Sequence, residues 1–181
     1  MNRGAGMCTV MFLTICLLLS PMAGSQMPSG KGVTTLEAYV SRDPVARGME
    51  LQVAVVVKIR NGFHMNARQV TEDYLIPTDL RIEPLAGFKL GAIAYPKGEL
   101  KTFSFSKNKQ LNVYTDTVII RMPLTVLASA PLGAQHFPMK LHYQACSDEI
   151  CLPPVTKDVD ATINVVANSS TAKPANQQFF K

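Results

Sequence analysis

Alternating and β-branched apolar runs, each ended by a turn signal, make up most of the chain between residues 33 and 166. The longest, Met49 to Ile59 (MELQVAVVVKI), is followed directly by the turn signal Asn61-Gly62. Helical periodicity is almost absent, and twelve prolines and eleven glycines punctuate the runs. Many short strands with frequent turns predict an all-β fold, an immunoglobulin-like antiparallel β-sandwich. The other predicted strands are Val33 to Val40, Leu90 to Tyr95, Asn112 to Leu127, Phe137 to Gln144 and Val155 to Val166.

Two features modify this strand pattern. Pro123 interrupts the run from Asn112 to Leu127, and because proline cannot donate to a ladder, we expect it at an edge or a bulge. Residues 167–181 are rich in Ser, Asn, Gln, Ala and Lys and predict a disordered polar tail. The folded domain is therefore expected over residues 33–166, a size that can bury a core of its own.

The first 25 residues predict an export signal. Arg3 is the only charged side chain before Lys31, and an apolar stretch runs between them from Met7 to Leu19. This stretch suits the core of a signal peptide but is shorter than the roughly 20 residues that span a bilayer. Small residues at Ala23 and Ser25 favour cleavage after position 25.

Export leaves a mature chain that begins with a linker over residues 26–32 and has few thiols. Cys8 and Cys16 depart with the signal, so Cys146 and Cys151 become the only cysteines of the exported protein. We therefore expect a soluble protein in the periplasm or another extracytoplasmic compartment, where disulfides form and persist.

The distribution of charge argues against one class of partner. The formal net charge is +5 at pH 7, but the lysines are scattered or lie in one loop-like region around Lys97 to Lys109. A nucleic-acid binder usually has a denser basic face with interleaved aromatic residues. We expect neither a nucleic-acid partner nor a small-molecule substrate.

The two remaining cysteines lie in the segment YQACSDEICLPP, from Tyr143 to Pro154, and several interpretations are open. A structural disulfide is common in exported domains. A loop of six residues, however, removes only roughly 2 kcal/mol of unfolded-state entropy, against about 4 to 5 kcal/mol for a bridge between distant strands. Zinc is a second interpretation, in which His142 and the two cysteines supply three ligands where a closed structural site needs four.

Two further interpretations use the thiols chemically. A protease-type thiol needs a partner histidine, for which His64, His136 and His142 are available, but a second cysteine so close in sequence favours a dithiol. A redox-active pair exchanges disulfides by thiolate attack, and the second thiol resolves the mixed disulfide. Asp148 and Glu149 lie between the cysteines and disfavour a thiolate, which indicates a pair whose reactivity depends on its partner. The residues alone favour the redox pair slightly over the structural disulfide.

The cysteine segment resembles the motif of a known family, the amino-terminal periplasmic domain of the thiol:disulfide interchange protein DsbD, an immunoglobulin-like electron carrier. That motif has a Tyr-Gln-small-Cys opening, a short polar loop, and a second Cys followed by an aromatic or apolar residue, Pro-Pro and a Lys. Here it runs from Tyr143 to Lys157. The likeness extends from about Val33 to Val166. Three supporting segments are Asn61-Gly62-Phe63-His64, Ile76-Pro77-Thr78 and Met122-Pro123-Leu124-Thr125-Val126.

The resemblance implies a component of a thiol:disulfide oxidoreductase system that works without a bound cofactor or metal. Cys151 would exchange with partner proteins, and Cys146 would resolve the mixed disulfide. An aromatic side chain of a cap loop would shield the pair. The matching segment, Glu99 to Phe105, offers Phe103 or Phe105 as that residue.

Four more residues are candidates for tuning the pair. His64 and Asn66 fall where the family has tyrosines near the disulfide, and Asp148 and Glu149 contribute charge. The implied partners are thioredoxin-like proteins or disulfide isomerases, with a separate membrane electron transporter as the reductant. The alternative from another class is a non-catalytic β-sandwich binding or assembly module whose disulfide pins a hairpin.

Overall fold

The computed structural model describes Met1 and residues 29–181. The rest of the predicted signal peptide and residues 26–28 lie outside the described residues, so the export signal stays a prediction. Across the part of the chain that is described, no helix is long and apolar enough to cross a membrane.

Regular structure in residues 29–181 consists of β-strands and short 3₁₀ helices, which confirms the all-β prediction. The sheets pack as the predicted immunoglobulin-like β-sandwich. The strands are β1 (Thr34–Val40), β2 (Val45–Ala46), β3 (Glu50–Ile59), β4 (His64–Asn66), β5 (Asp79–Ile82), β6 (Phe88–Leu90), β7 (Glu99–Thr102), β8 (Gln110–Tyr114), β9 (Thr117–Val126), β10 (Gly133–Tyr143), β11 (Ala145–Cys146) and β12 (Val155–Val166).

The strands form three four-stranded sheets. The first has the order β1-β3-β9-β6, the second β2-β12-β10-β5, and the third β11-β4-β8-β7. The pairing of β2 with β12 is parallel, and the other strand pairs described are antiparallel. The third sheet is linked to the second because β11 follows β10 after one residue.

The first and second sheets share one apolar core. Every second residue of β9 is buried from Val118 to Val126, and every second residue of β10 from Phe137 to Tyr143. Successive side chains of a strand point to opposite faces, so this period of two is what the alternating apolar runs predict.

The predicted strand from Asn112 to Leu127 is divided at Asp116 rather than at Pro123. Asp116 separates β8 from β9 and has a φ of 55°. Aspartate tolerates this left-handed conformation better than most residues because its short side chain bonds locally. The alternation of apolar and polar residues continues from β8 into β9, so the sequence pattern did not indicate the turn between them.

Pro123 lies inside β9, an interior strand, at a shift in register. β9 pairs with Leu90 at the end of β6 and again at Ala94, one residue out of step. Between them the Gly91 N–H donates to the Pro123 carbonyl at 2.9 Å, and a Cβ on Gly91 would come within 2.5 Å of the proline ring. The expected strand from Leu90 to Tyr95 is therefore broken by a bulge: residues 91–93 lie opposite only two residues of β9, 122–123. Pro123, which has no N–H to donate, lies opposite this bulge.

Residues 167–181, predicted to be disordered, pack against the outer face of the first sheet. Tyr39, Ala54 and Arg121 lie side by side in the register of β1, β3 and β9. Phe179 stacks on Tyr39 with ring centroids 4.2 Å apart, and its carbonyl accepts a hydrogen bond from Arg121 Nε at 2.7 Å. Ala54 is fully buried. The polar composition of the segment does not reveal this aromatic contact.

Candidate functional site

Cys146 and Cys151 are joined by a disulfide that closes residues 146–151, the disulfide loop, with the two Cα atoms 3.9 Å apart. Ser147 organises this loop. Its backbone N–H donates to the Ile150 carbonyl at 2.9 Å, and its hydroxyl oxygen accepts the N–H groups of Glu149 and Ile150, each at 3.2 Å. Serine favours such turns because its hydroxyl bonds to nearby backbone groups.

The two cysteines differ in exposure. Cys146 is in β11 and fully buried, whereas Cys151 is partly exposed. The side chains between them face outward: Asp148 and Glu149 are exposed, and Ile150 keeps 50% of its surface accessible. A molecule that approaches the disulfide therefore meets Cys151 together with an acidic and apolar surface.

His64, Cys146 and Cys151 form one row of directly opposed residues, the cysteine row. Cys146 pairs with His64 of β4 on one side and with Cys151 on the other, both antiparallel. Opposed residues in an antiparallel pair point to the same face, with Cβ atoms about 4.5 to 5.5 Å apart. The register therefore places the imidazole of His64 on the same face as the disulfide.

His64 is a buried histidine, and one of its ring nitrogens lacks a hydrogen-bond partner within residues 29–181. It is 2% exposed, and its Nε2 atom has no hydrogen-bond partner among the described residues. Burial lowers the pKa of His64 from 6.5 to about 4; the Asp148 carboxylate opposes this shift and the Lys101 ammonium adds to it. The imidazole is therefore neutral at pH 7.

The hairpin of β7 and β8, here called the cap hairpin (residues 99–114), covers His64. Phe103 stacks on the imidazole with centroids 3.9 Å apart and an interplanar angle of 14°. Phe105 stacks in turn on Phe103 at 5.5 Å and lies 6.3 Å from the His64 ring. Ser104, between the two phenylalanines, donates its hydroxyl hydrogen to the carbonyl oxygen of Asp148 in the disulfide loop.

The two cap candidates therefore have different positions. Phe103 contacts the cysteine row through His64, while Phe105 is one ring further away. Both pack on a small apolar cluster of Leu75, Leu111 and Val113, separate from the main core. The predicted cap loop also begins later than its sequence suggests, since Glu99–Thr102 is the edge strand β7 and the 3₁₀ helix covers Ser104–Ser106.

Asn66 lies in a hydrogen-bond network beside the cysteine row, two residues along β4 from His64. Its Nδ2 donates to the Gln144 side-chain oxygen and to the Ile76 carbonyl, each at 3.1 Å, and its backbone carbonyl accepts the Thr78 hydroxyl at 2.6 Å. Gln144 Nε2 donates to the Leu152 carbonyl at 3.2 Å. The network connects the segments before and after the disulfide with β4.

Gln144 was not a candidate in the sequence, although it stands in the Tyr-Gln-Ala-Cys motif. Its neighbour Tyr143 is also structural: the phenol is buried and bonds to the Thr34 hydroxyl at 2.8 Å and to the Gly30 carbonyl at 3.0 Å. The motif residues outside the cysteines thus hold β11 and the disulfide loop in position.

The remaining histidines lie apart from the cysteine row. His142 Nδ1 is 3.0 Å from the Thr156 hydroxyl, and His136 Nδ1 is 2.8 Å from Asp160 Oδ2. Among the described residues, no three His, Cys, Asp or Glu side chains are grouped so as to hold a metal ion. The zinc ligand set considered from the sequence is not assembled, because the two sulfurs are bonded to each other.

A comparison with known protein families agrees with the cysteine motif. The chain matches the family described as thiol:disulfide interchange protein DsbD, N-terminal, over residues 35–163. A search of curated proteins gave no match. One similar solved structure is the reduced DsbD N-terminal domain of Neisseria meningitidis, with 20% identity, a TM-score of 0.46, and coverage of 83% of this chain and 96% of that one.

A second similar structure is the N-terminal periplasmic domain of ScsB from Proteus mirabilis. It has 12% identity and a TM-score of 0.45, and the alignment covers 71% of this chain and 46% of the other. The family match spans more than two thirds of the sequence and includes both cysteines. This chain belongs to the DsbD N-terminal domain family, as its cysteine motif suggested.

Proposed function

We propose that this protein is an exported thiol:disulfide exchange domain that relays reducing equivalents between partner proteins through Cys146 and Cys151. Family membership and the disulfide support this function. The observation that carries it is the unequal exposure of the two cysteines, because exchange needs one accessible sulfur and one that stays protected until the mixed disulfide forms. The predicted signal supports a periplasmic or other extracytoplasmic location.

Exchange begins at Cys151. A partner thiolate attacks the Cys151 sulfur, the bond to Cys146 breaks, and Cys146 leaves with the electron pair and takes up a proton. The partner's second thiol, as its thiolate, then attacks the partner sulfur of the mixed disulfide and releases Cys151. The domain gains two electrons and two thiols, and the partner ends as a disulfide. The same steps in reverse reduce the disulfide of a downstream protein.

Phe103 is the cap residue in this proposal. Its stack on His64 and the bond from Ser104 to Asp148 hold the cap hairpin against the cysteine row. A docking partner has to break both contacts to place its sulfur in line with Cys151. The cap therefore slows reaction with small oxidants and reductants, which do not bind the surface around the disulfide loop.

The partners are thioredoxin-like proteins or disulfide isomerases, with a membrane electron transporter as the reductant. The exposed surface around Cys151 supports a protein partner. Ile150 offers an apolar contact, and Asp148 and Glu149 offer negative charge at its side. Charged groups at the rim of an interface select partners and increase the association rate.

Trapping of the mixed disulfide tests the proposal. Cys146→Ala removes the resolving thiol, so an adduct formed at Cys151 persists. Expressed with its own signal, this variant is expected to accumulate disulfide-linked partners that dithiothreitol releases, and the Cys146→Ala/Cys151→Ser control is expected to accumulate none. Absence of adducts from both variants would favour the binding or assembly module.

The reduction potential gives a second, independent test. Structural disulfides of secreted proteins usually lie below about −300 mV, and exchange proteins lie above that value. We expect the Cys146–Cys151 pair to equilibrate above it in glutathione or dithiothreitol buffers. A potential far below this range would contradict the relay.

A further inference from the structure

His64 Nε2 is a buried polar atom whose partner is missing in the disulfide state. It has no hydrogen-bond partner among the described residues, and a buried polar group without a partner destabilises the fold. The same face of the third sheet holds the Cys146 sulfur, directly opposite in the register. In a disulfide that sulfur has no hydrogen to donate, so it does not supply the missing bond to Nε2.

Reduction changes the hydrogen-bonding capacity of Cys146. Its sulfur becomes a thiol with one S–H donor, and because the residue is fully buried, water does not supply an acceptor. The neighbouring His64 imidazole has a buried nitrogen, Nε2, that lacks a hydrogen-bond partner in the described part of the chain and can accept this hydrogen. Phe103 covers one face of the ring, and the ring nitrogens make their polar contacts at the ring edge.

We propose that His64 is the proton acceptor for Cys146: in the reduced protein the Cys146 thiol donates to His64 Nε2, and this nitrogen takes the proton when Cys146 attacks the mixed disulfide. The inference rests on the proposed exchange function. It requires the imidazole tautomer with the hydrogen on Nδ1, so that Nε2 has a free lone pair.

The step balances as follows for oxidation of the reduced domain by a disulfide R–S–S–R. The Cys151 thiolate attacks one sulfur, forms Cys151–S–S–R and releases one thiolate. The Cys146 thiol then gives its proton to His64 Nε2, its sulfur attacks the Cys151 sulfur, and the second thiolate leaves with the electron pair. His64 finally returns the proton to solvent or to the leaving thiolate.

Charged groups from three elements face the same small cavity as His64, which has a volume of about 260 Å³. They are Asp148 of the disulfide loop, Lys101 of β7 and Asp116 of the turn after β8. Asp148 stabilises the imidazolium formed in the step, while Lys101 opposes it. The imidazole is neutral at pH 7, so Nε2 holds no proton of its own. A pKa well below the operating pH also makes this nitrogen a weak base, so its contribution to the rate is expected at or below the low end of the usual range for general bases.

A two-step thiol assay separates the roles of the cysteines. The full chain with Cys8→Ser and Cys16→Ser, fully reduced, is mixed with 5,5′-dithiobis(2-nitrobenzoate), which releases one thionitrobenzoate on attack by Cys151 and a second on attack by Cys146. In His64→Phe we expect the second release to be about 10- to 100-fold slower at pH 7, with the first changed less than about twofold. Phenylalanine retains the ring that stacks on Phe103.

Two further variants complete the comparison. His64→Gln retains an acceptor oxygen and is expected to recover part of the second-phase rate. His136→Phe removes a histidine that pairs with Asp160 and is expected to change neither phase. The defect of His64→Phe is expected to shrink as the pH rises, because hydroxide then deprotonates the Cys146 thiol in place of His64.

The outcomes distinguish this inference from the proposed function. An equal second phase in His64→Phe and the parent protein, or a defect that is the same at every pH, overturns the role of His64. Failure of the parent protein to release the second thionitrobenzoate overturns the exchange function itself. Should His64→Phe fail to fold, the nitrogen-15 spectrum of the reduced parent protein decides: the Nδ1–H tautomer of His64 is expected, and the Nε2–H tautomer contradicts the proposal.

Discussion

Phe103 and His64 stack face to face, with ring centroids 3.9 Å apart and planes inclined by 14°. The contact joins two parts of the site, because Phe103 belongs to the cap hairpin and His64 pairs with Cys146 in the cysteine row. A second contact, from the Ser104 hydroxyl to the Asp148 carbonyl, lies beside it. The cap hairpin thus contacts the site through a histidine and a backbone carbonyl: His64 lies opposite Cys146 in the register, and Asp148 is in the disulfide loop.

Removal of the cap ring is expected to accelerate reduction of the disulfide. Phe103→Ala leaves the His64 ring uncovered and loosens the cap hairpin, so dithiothreitol reaches Cys151 more often. We expect the reduction rate to rise at least severalfold, measured by following the free thiols with time. The free energy of unfolding should fall by about 2 kcal/mol, less than for a fully buried phenylalanine.

Phe105→Ala is the matched control for this change. Phe105 packs on the same small cluster of Leu75, Leu111 and Val113 but lies 6.3 Å from the His64 ring. It should lower stability by a similar amount with a smaller effect on the reduction rate. Equal acceleration by both variants would show that looseness of the hairpin, rather than the ring of Phe103, governs access.

The free energy of unfolding is expected to decrease when the pH is lowered from 6.5 toward 4, because His64 titrates differently in the folded and unfolded states. Its pKa is about 4 in the folded state and 6.5 in the unfolded chain, so the unfolded state binds the proton first as the pH falls. The stabilisation is complete above pH 6.5 and is lost as the pH falls toward 4. The loss should be on the order of 3 kcal/mol, measured by urea unfolding at a series of pH values.

His64→Phe should remove this pH dependence between pH 6.5 and about 4. Some dependence should persist near and below pH 4.5, because the Lys58 and Lys101 ammonium groups lower the pKa of the Glu37 and Glu99 carboxyls. An unchanged slope in His64→Phe would show that another group titrates in this window.

The bond between Asn66 and Gln144 should be visible as a coupling energy. Asn66→Ala and Gln144→Ala each leave partners unsatisfied in a buried network and should cost about 1 to 3 kcal/mol of unfolding free energy. The double variant should be less destabilised than the sum, by about 0.5 kcal/mol or more. Urea unfolding of the four proteins gives this value, and strict additivity would contradict a direct bond.

The contact of the C-terminal segment should stabilise the fold without affecting exchange. Phe179→Ala removes the stack on Tyr39 and exposes the sheet around Ala54, which should lower the free energy of unfolding by about 1 to 2 kcal/mol. Gln178→Ala, at an exposed neighbouring position, is the control and should change it by less than about 0.5 kcal/mol. The rate of thiol exchange should be the same in both variants.

Much of the sandwich was readable in the sequence because its signals are local. Alternation along the chain predicted the strands from Met49 to Ile59 and from Val155 to Val166 within a residue of their observed bounds. The spacing and setting of Cys146 and Cys151 indicated a short-loop pair and a family. Short strands such as β4 and β7 were not predicted, since three or four residues are too few to show a period.

The arrangement around the disulfide was decided by tertiary structure. His64 and Cys146 are far apart in sequence, and only the register of β4 against β11 places them on one face. The position of Phe103 was also decided by tertiary structure. Its ring lies closer to His64 than the ring of Phe105 because of the way the cap hairpin packs over that face. Composition likewise suggested a free tail where Phe179 packs on Tyr39.

The sequence by itself determined which segments become strands and which two sulfurs lie close together, because both follow from contacts between near neighbours in the chain. It did not determine which buried side chain lies beside Cys146 or which aromatic ring stacks on that side chain. Those relations depend on strand register and loop packing, where residues distant in sequence meet and the alternation of a single strand holds no information about its partner.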